Sequence, residues 1–371
     1  MHKIERLLQT LAPKGVEFRK LGEVCEILDN RRIPIAKNKR NPGIYPYYGA
    51  NGIQDYIDSY IFDGDFVLVG EDGSVINKDN TPVVNWASGK IWVNNHAHVL
   101  QTKNELKLKF LYFYLQTIDV SYCVAGTPPK INQENLKQIT IPIPPLEIQQ
   151  EIVKILDAFT ELKARKKQYE YYQNMLLDFK DIHQNHKDAK MSAKPYPKPL
   201  KTLLQTLAPK GVEFRKLGEV INILKGKQLN KELLLDYGEY PVMNGGIHAS
   251  GYWNEYNTDY PKIIISQGGA SAGYVNYMTS KFWAGAHCYA IELNSEKLNY
   301  KFLYYFLKNS QTILMKSQFG AGIPALNKAD IETLAIPIPP LEIQQEIVKI
   351  LDQFSALTTD LLAGIPAEIK S

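Results

Sequence analysis

The sequence predicts an α+β chain of two similar globular domains and two long helices, arranged as a circular repeat with pseudo-twofold symmetry. Three observations predict it. Residues 7–24 read LLQTLAPKGVEFRKLGEV and recur unchanged at 203–220. Residues 141–157 read IPIPPLEIQQEIVKILD and recur unchanged at 336–352. Between these blocks lie two inserts, about 22–141 and 218–336, similar in length and very different in sequence. The expected boundaries are a first domain over 1–145, a helix over 146–185, a linker over 186–202, a second domain over 203–340 and a closing helix over 341–371.

The frames are constant even where packing does not demand it. A packed helix must keep its apolar positions, while its polar face is free to drift. Yet Glu147, Gln149, Gln150, Glu151, Lys154 and Asp157 recur as Glu342, Gln344, Gln345, Glu346, Lys349 and Asp352. A young duplication would have left the inserts alike as well. Exchange of inserts between homogenised frames fits both facts. The repeated polar residues are therefore the candidate surface for a partner common to both halves.

The first insert holds short apolar, aromatic-rich runs broken by turn signals such as Asn41-Pro42-Gly43, Asn51-Gly52, Asp63-Gly64 and Asp72-Gly73. Residues 66–69 and 91–93 read as strands, and 110–115 with their flanks as a short buried helix. The second insert follows the same plan. Tyr240-Pro241 echoes Tyr45-Pro46, and 262–266 echoes 66–70. Trp283 and His287 echo Trp92 and His96 at the same spacing, and 301–304 (KFLY) repeats 109–112. One α+β fold with two sets of surface residues accounts for this.

After each insert comes a Pro-Pro pair, tolerated where a helix begins. Glu147 and Glu342 fall in the first turn, where the helix dipole favours them. Ile148, Ile155, Leu162, Tyr169 and Leu176 lie seven apart, with Ile152 and Phe159 in the second seam position and Lys166 and Gln173 replacing it later. Ile343, Ile350 and Leu357 alternate with Ile347, Phe354 and Leu361 in the second copy. This 3-4 spacing predicts a coiled-coil seam between the two helices. The competing arrangement docks each helix on its own insert. The first helix is expected to reach about residue 182, roughly 55 Å at 1.5 Å per residue. Gly364 and Pro366 stop the second. The stretch 192–199 (SAKPYPKP) reads as an extended, exposed linker.

Composition bounds the function loosely. A chain of 371 residues, 44% hydrophobic and 22% charged, is long enough for two or three cores. A net charge of +4 leaves nucleic-acid binding to local patches. No apolar run nears the roughly 20 residues that span a bilayer, so no membrane role is expected. The N-terminus is too polar for a secretory signal. Cys25, Cys123 and Cys288 are scattered and odd in number, which predicts reduced cytoplasmic thiols and no metal site.

No catalytic signature is present: no GxxxxGK[ST] loop, HExxH helix, GxSxG elbow or paired CxxC. The glycine-rich SQGGASAG lacks the phosphate-loop lysine, and Thr127-Pro128-Pro129-Lys130 lacks the aromatic of an amino-methyltransferase loop. His96, His98 and His287 read as structural. Lys163, Arg165, Lys166 and Lys167 read as a solvated helix face. Basic residues cluster instead where the inserts differ. Arg31, Arg32, Lys37, Lys39 and Arg40 crowd one loop beside Asn38 and Asn41. Lys225, Lys227, Gln228 and Lys231, with Asn230, hold the equivalent place in the second insert. Arg and Lys reach guanine, Asn and Gln reach adenine, and all hold phosphate. Arg31→Ala or Arg32→Ala is expected to relax one half of a target.

The chain resembles the specificity subunits of type I restriction-modification systems. The resemblance rests on the duplicated variable regions and on the junction Ile141-Pro142-Ile143-Pro144-Pro145-Leu146-Glu147-Ile148-Gln149, repeated from Ile336. It implies that the inserts are target-recognition domains, each reading one half of a split double-stranded DNA site. It implies that the helices form an antiparallel pair that holds the domains apart and binds two methyltransferase subunits. Restriction subunits join where the system has them. The chain itself would be noncatalytic and cofactor-free, with S-adenosylmethionine, ATP and Mg on the partner subunits. Two other readings stand beside this one: the specificity-bearing remnant of a fused methyltransferase or nuclease, and a coiled-coil protein adaptor.

Overall fold

A computed structural model describes residues 3–73, 75–182, 194–319 and 324–364. Two compact units emerge, one within Met1–Leu162 and one over Lys163–Leu362. Each is mixed helix and sheet.

In the first unit the strands are β1 (Glu17–Lys20), β2 (Cys25–Ile27), β3 (Pro42–Gly49), β4 (Gly52–Ile57), β5 (Phe62–Gly70), β6 (Val84–Val93), β7 (Ala97–Thr102) and β8 (Thr140–Ile143). Six form one sheet in the order β2-β7-β5-β6-β3-β4. β3 and β6 run parallel, and the other neighbours run antiparallel. β5 is central because its run Phe66-Val67-Leu68-Val69 is buried on both faces. Alternate residues point to opposite sides of a strand. Val67 and Val69 therefore join Phe110 and Leu111 of the helix Leu108–Leu115, while Phe66 and Leu68 join Phe62 and Ile91.

In the second unit the strands are β9 (Glu213–Lys216), β10 (Ile221–Lys225), β11 (Tyr240–Met243), β12 (Tyr252–Trp253), β13 (Lys262–Ser266), β14 (Val275–Met278), β15 (Trp283–Ala284), β16 (Cys288–Leu293) and β17 (Ala335–Ile338). They pair as β10-β16-β13-β14 and β12-β11-β15. This is the order of the first unit with the counterpart of β6 broken into β14 and β15. The parallel pair recurs as β11 with β15.

The constant blocks close each unit on itself. β1 pairs antiparallel with β8, and β9 with β17, so the block before each insert is zipped to the block after it. The chain enters this ribbon from the helix Lys3–Leu11 or Lys198–Leu207. The turn between needs Gly15 and Gly211, which both adopt a positive φ, 96° and 92°.

Beyond the ribbon, the helices Leu146–Leu177 and Leu341–Gly364 start at the Pro-Pro pairs. Gln149 lies fully buried in the first turn. Its Nε2 donates to the carbonyls of Pro144 (2.7 Å) and Glu105 (2.9 Å), and its Oε1 accepts from the Lys107 amide (2.8 Å). Gln344 repeats all three bonds, to Pro339 (2.6 Å), Lys297 (2.8 Å) and the Asn299 amide (2.7 Å).

The structure corrects several expectations. Gln149 and Gln344 are internal braces and offer no surface to a partner. Of the other repeated polar residues, Glu147, Gln150, Lys154, Glu342, Gln345 and Lys349 are exposed. Glu151 pairs with Lys3 at 2.6 Å, and Glu346 with Lys349 at 3.6 Å. The first α-helix stops at Leu177, short of residue 182; Phe179 turns into the second core and a 3-10 turn, Lys180–Ile182, follows. The linker is shorter than expected. Residues 186–193 lie outside the described residues, Lys194 bonds to Asp178 at 3.1 Å, Tyr196 packs on the second core, and a helix already runs from Lys198. The first helix also belongs to neither domain alone. Ile152 and Val153 pack on the first core, while Tyr169 and Tyr172 pack on the second.

Within the second unit the closing helix docks on its own insert and makes one ring contact with the first helix. Ile343, Ile347 and Leu351 dock on that unit's own core. One turn further, Phe354 stacks on Tyr172 of the first helix with ring centroids 4.9 Å apart. Leu357, expected in the seam, is half exposed, and the side chain of Leu361 lies outside the described residues.

Removing either glutamine side chain orphans one buried and two part-buried backbone groups. Gln149→Ala and Gln344→Ala should each destabilise their unit by about 2–3 kcal/mol. Urea unfolding measures this; wild-type stability together with lost partner binding would return these residues to the surface role.

Candidate nucleic-acid interface

The two basic loops are held in the same way. In the first unit, the Trp92 indole donates to the Ile33 carbonyl (2.6 Å). In the second, the Trp283 indole donates to the Lys227 carbonyl (3.0 Å). The loop is thus pinned beside the parallel pair, β3 with β6 or β11 with β15. The spacing echo of the two tryptophans carried this signal in the sequence, although not its role.

Within the first loop the five basic residues divide sharply. Arg32 is nearly buried and bonds to Glu71 (2.6 Å), Asp29 (3.3 Å) and the Ala97 carbonyl (2.8 Å). Arg40 lies 4.0 Å over the Tyr47 ring and bonds to the Ile35 carbonyl (3.0 Å) and Asp55 (3.3 Å). Both are braces, and the expectation that they read DNA is corrected. Their guanidiniums are already occupied by carboxylates and backbone. Arg31 is exposed, yet leans over Phe62 (4.7 Å) and bonds to the Ile61 carbonyl (3.2 Å). Lys37 and Lys39 sit on the exposed turn Lys37–Lys39 and enter no ion pair among the described residues.

The second loop keeps more of its charge free. Lys225, Lys227, Gln228 and Lys231 are all exposed, and the three lysines enter no ion pair among the described residues. Gln228 donates to the adjacent Leu229 carbonyl (3.1 Å). Lys225 and Lys227 border a cleft of about 340 Å³ with Asn257, Thr258, Asp259, Lys262 and Glu292. Amide, hydroxyl and charged groups of both signs line it.

Behind the first loop, Asp29, Glu71 and His98 bring three potential metal-ligand atoms within 4.8 Å of one another. Arg32 and Lys130 already supply the positive charge, Lys130 reaching Glu71 at 3.0 Å. His98 is buried between Asp29 (2.6 Å) and the Ile131 carbonyl (2.8 Å), so it acts structurally. Burial opposes the charge on Asp29. The hydrogen bond and charge of His98, with Arg32 and the Val99 amide, outweigh that and hold its carboxyl below the usual range. His96 contacts Asp72 at the surface. Burial pushes the Cys25 and Cys288 thiols up to about 12, which leaves them unreactive.

The profile of the type I restriction modification DNA specificity domain matches residues 13–170 and 209–371, one copy per frame and insert. The chain belongs to this family. A chain assigned as a type I restriction enzyme specificity subunit of Haemophilus influenzae is 34% identical over 99% of this chain and 94% of its own length. The specificity subunit of a type I restriction enzyme of Escherichia coli is 25% identical over 100% of this chain and 93% of its own. The solved specificity subunit of a Mycoplasma genitalium type I restriction-modification system shares the fold, with a TM-score of 0.50 at 20% identity over 94% of this chain and 93% of that one. No helix among the described residues of this specificity subunit is long and apolar enough to cross a membrane.

Two outcomes separate braces from free cations. Arg32→Ala leaves two largely enclosed carboxylates, Asp29 and Glu71, short of a partner and should cost about 3 kcal/mol in urea unfolding, whereas Lys37→Ala should stay within about 0.5 kcal/mol. The lowered Asp29 carboxyl gives stability that is complete above the ordinary carboxylate range and lost as pH falls through its folded value. The first unit should therefore loosen as pH falls below about 4. Asp29→Asn should flatten that acid limb in a thermal melt; an unchanged limb would remove Asp29 from the account.

Proposed function

We propose that this chain is the noncatalytic DNA-reading subunit of a type I restriction-modification complex, each unit reading one half of a bipartite site. One observation carries it: two units with the same strand order present different exposed polar side chains from the same tryptophan-pinned loop. Lys37, Lys39 and Arg31 serve the first half-site, and Lys225, Lys227, Gln228 and Lys231 the second. Contacts from these groups to base edges specify, and contacts to phosphate position.

In this reading two methyltransferase subunits bind the repeated frames. The exposed, duplicated Glu147, Gln150 and Lys154, with Glu342, Gln345 and Lys349, form the shared surface. S-adenosylmethionine sits on those subunits, and ATP and Mg serve the restriction subunits where present. The helix Leu146–Leu177 sets the gap between half-sites. Its 32 residues give about 48 Å, or about 14 base pairs, as an upper bound.

Coexpression with the modification subunit and genome-wide mapping of methylated adenines by single-molecule sequencing tests the proposal. A gapped two-part motif that vanishes without this chain is expected; no new methylation from a folded complex with an active partner would reject it. In the same assay, Lys37→Ala with Lys39→Ala should relax one half-site, and Lys227→Ala with Gln228→Ala the other. Deleting seven helical residues, 160–166, keeps the heptad phase and should shorten the gap by about three base pairs. A gap that keeps its length would end the ruler role.

A further inference from the structure

Although the reading loops diverge, one exposed cluster beside them does not. In the first unit Tyr45 and Tyr60 pack ring to ring at 5.1 Å and 55°, and the Lys90 ammonium lies 4.7 Å from the Tyr60 ring centre. In the second unit Tyr240 and Tyr256 pack at 5.1 Å and 58°, with Lys281 4.0 Å from the Tyr256 ring centre. The residues occupy equivalent positions. Tyr45 and Tyr240 lie in the paired strands β3 and β11, and Tyr60 and Tyr256 precede β5 and β13. The lysines stand two residues before the loop-pinning Trp92 and Trp283. On β6 that spacing puts Lys90 on the same face as Trp92.

Fold maintenance does not require a lysine here. Tyr60 and Tyr256 are about two-fifths exposed, and Lys90 is exposed. Each ammonium has only a weak carboxylate neighbour: Asp63 stands opposite Lys90 in the ladder, and Asp259 is 3.8 Å from Lys281. Lys281 donates to the Tyr256 hydroxyl (2.8 Å), which leaves that hydroxyl's own proton free to donate outward. Lysine and phenol thus present two donors side by side, on a ring that restricts the lysine's motion.

We infer that Lys90–Tyr60 and Lys281–Tyr256 are matched phosphate clamps that seat each recognition unit on the DNA backbone without regard to sequence. A sequence-blind contact is the kind that two readers of different sequences can share. The inference rests on the DNA-reading role proposed above. It separates positioning by the constant cluster from specification by the variable loop.

The test uses the full chain assembled with its modification subunits, and two duplexes: one carrying the mapped motif and one unrelated. Binding is measured across a salt series. Lys90→Ala with Lys281→Ala should weaken both duplexes by the same factor. The log–log salt slope should shrink by about 0.9 per lost contact. The methylated motif and the thermal melt should not change. Tyr60→Phe with Tyr256→Phe should give a smaller, equally sequence-blind loss, and Asp259→Asn a gain. A lowered melt with an unchanged salt slope would make the cluster structural and overturn the inference. Relaxation at one base position would make it a reader and overturn it equally. Failure of the unaltered complex to bind either duplex would overturn the DNA-reading role itself.

Discussion

A carbonyl buried at a Pro-Pro junction must find a donor, and neither proline supplies one. Gln149 and Gln344 do so from the first turn of the following helix, and with the rest of the amide each ties down two more backbone groups from the far side of the insert. One side chain therefore fixes the helix start, the strand before it and the loop that leads into the buried helix. The β1–β8 and β9–β17 ribbons close the remaining gap. Once these contacts hold both ends of an insert, the residues between are free to change without disturbing how the unit meets its helix.

What may not change between the ends is backbone bonding, and the two units show this directly. The Ile131 amide donates to the Glu71 carbonyl (2.9 Å), and the Leu326 amide to the Gln267 carbonyl (2.8 Å). The side chains around that shared bond differ in kind. In the first unit a charged set, Asp29, Arg32, Glu71, Lys130 and His98, fills the space. In the second, Tyr289 reaches the Leu326 carbonyl (3.3 Å) where His98 reaches that of Ile131. An ionic network and a neutral hydroxyl satisfy one backbone geometry, so sequence can diverge widely beneath a single topology. The charged solution adds an acid-sensitive carboxylate, Asp29, to the first unit at this place.

This explains what could be read from the sequence. The repeat, the strands around 66–69, 91–93 and 262–266 and the helices after Pro-Pro were legible because periodicity and repetition are one-dimensional signals. The family was legible from the junction itself. Burial was not. Gln149 and Gln344 looked like surface because polar residues usually are, and only the fold reveals the carbonyls they serve. Arg32 and Arg40 looked like free cations because their carboxylates, Glu71 and Asp55, are distant in sequence. The stop at Leu177 and the early helix at Lys198 depend on the pull of Phe179, Leu200 and Leu204 into the second core, a tertiary effect that no local pattern encodes. Of the paired tyrosine–lysine clusters the sequence showed only the Tyr45–Tyr240 echo, and their common geometry needed the sheet.

Sorting the cations this way makes sense of a modest net charge. In and beside the two pinned loops, the lysines without a strong ion pair among the described residues are Lys37, Lys39 and Lys90 in the first unit, and Lys225, Lys227, Lys231 and Lys281 in the second. About three phosphate contacts give a log–log salt slope near −2.7, which corresponds to a loss of only about 40-fold in affinity between 50 and 200 mM salt. A unit held on the backbone by these loop lysines alone would gain little from counterion release and would depend on its base contacts. Two units engaging one duplex roughly double the slope and join their contacts by linkage rather than by charge. A reader built in this way keeps nonspecific attraction low, and it leaves discrimination to the few loop side chains that differ between the halves.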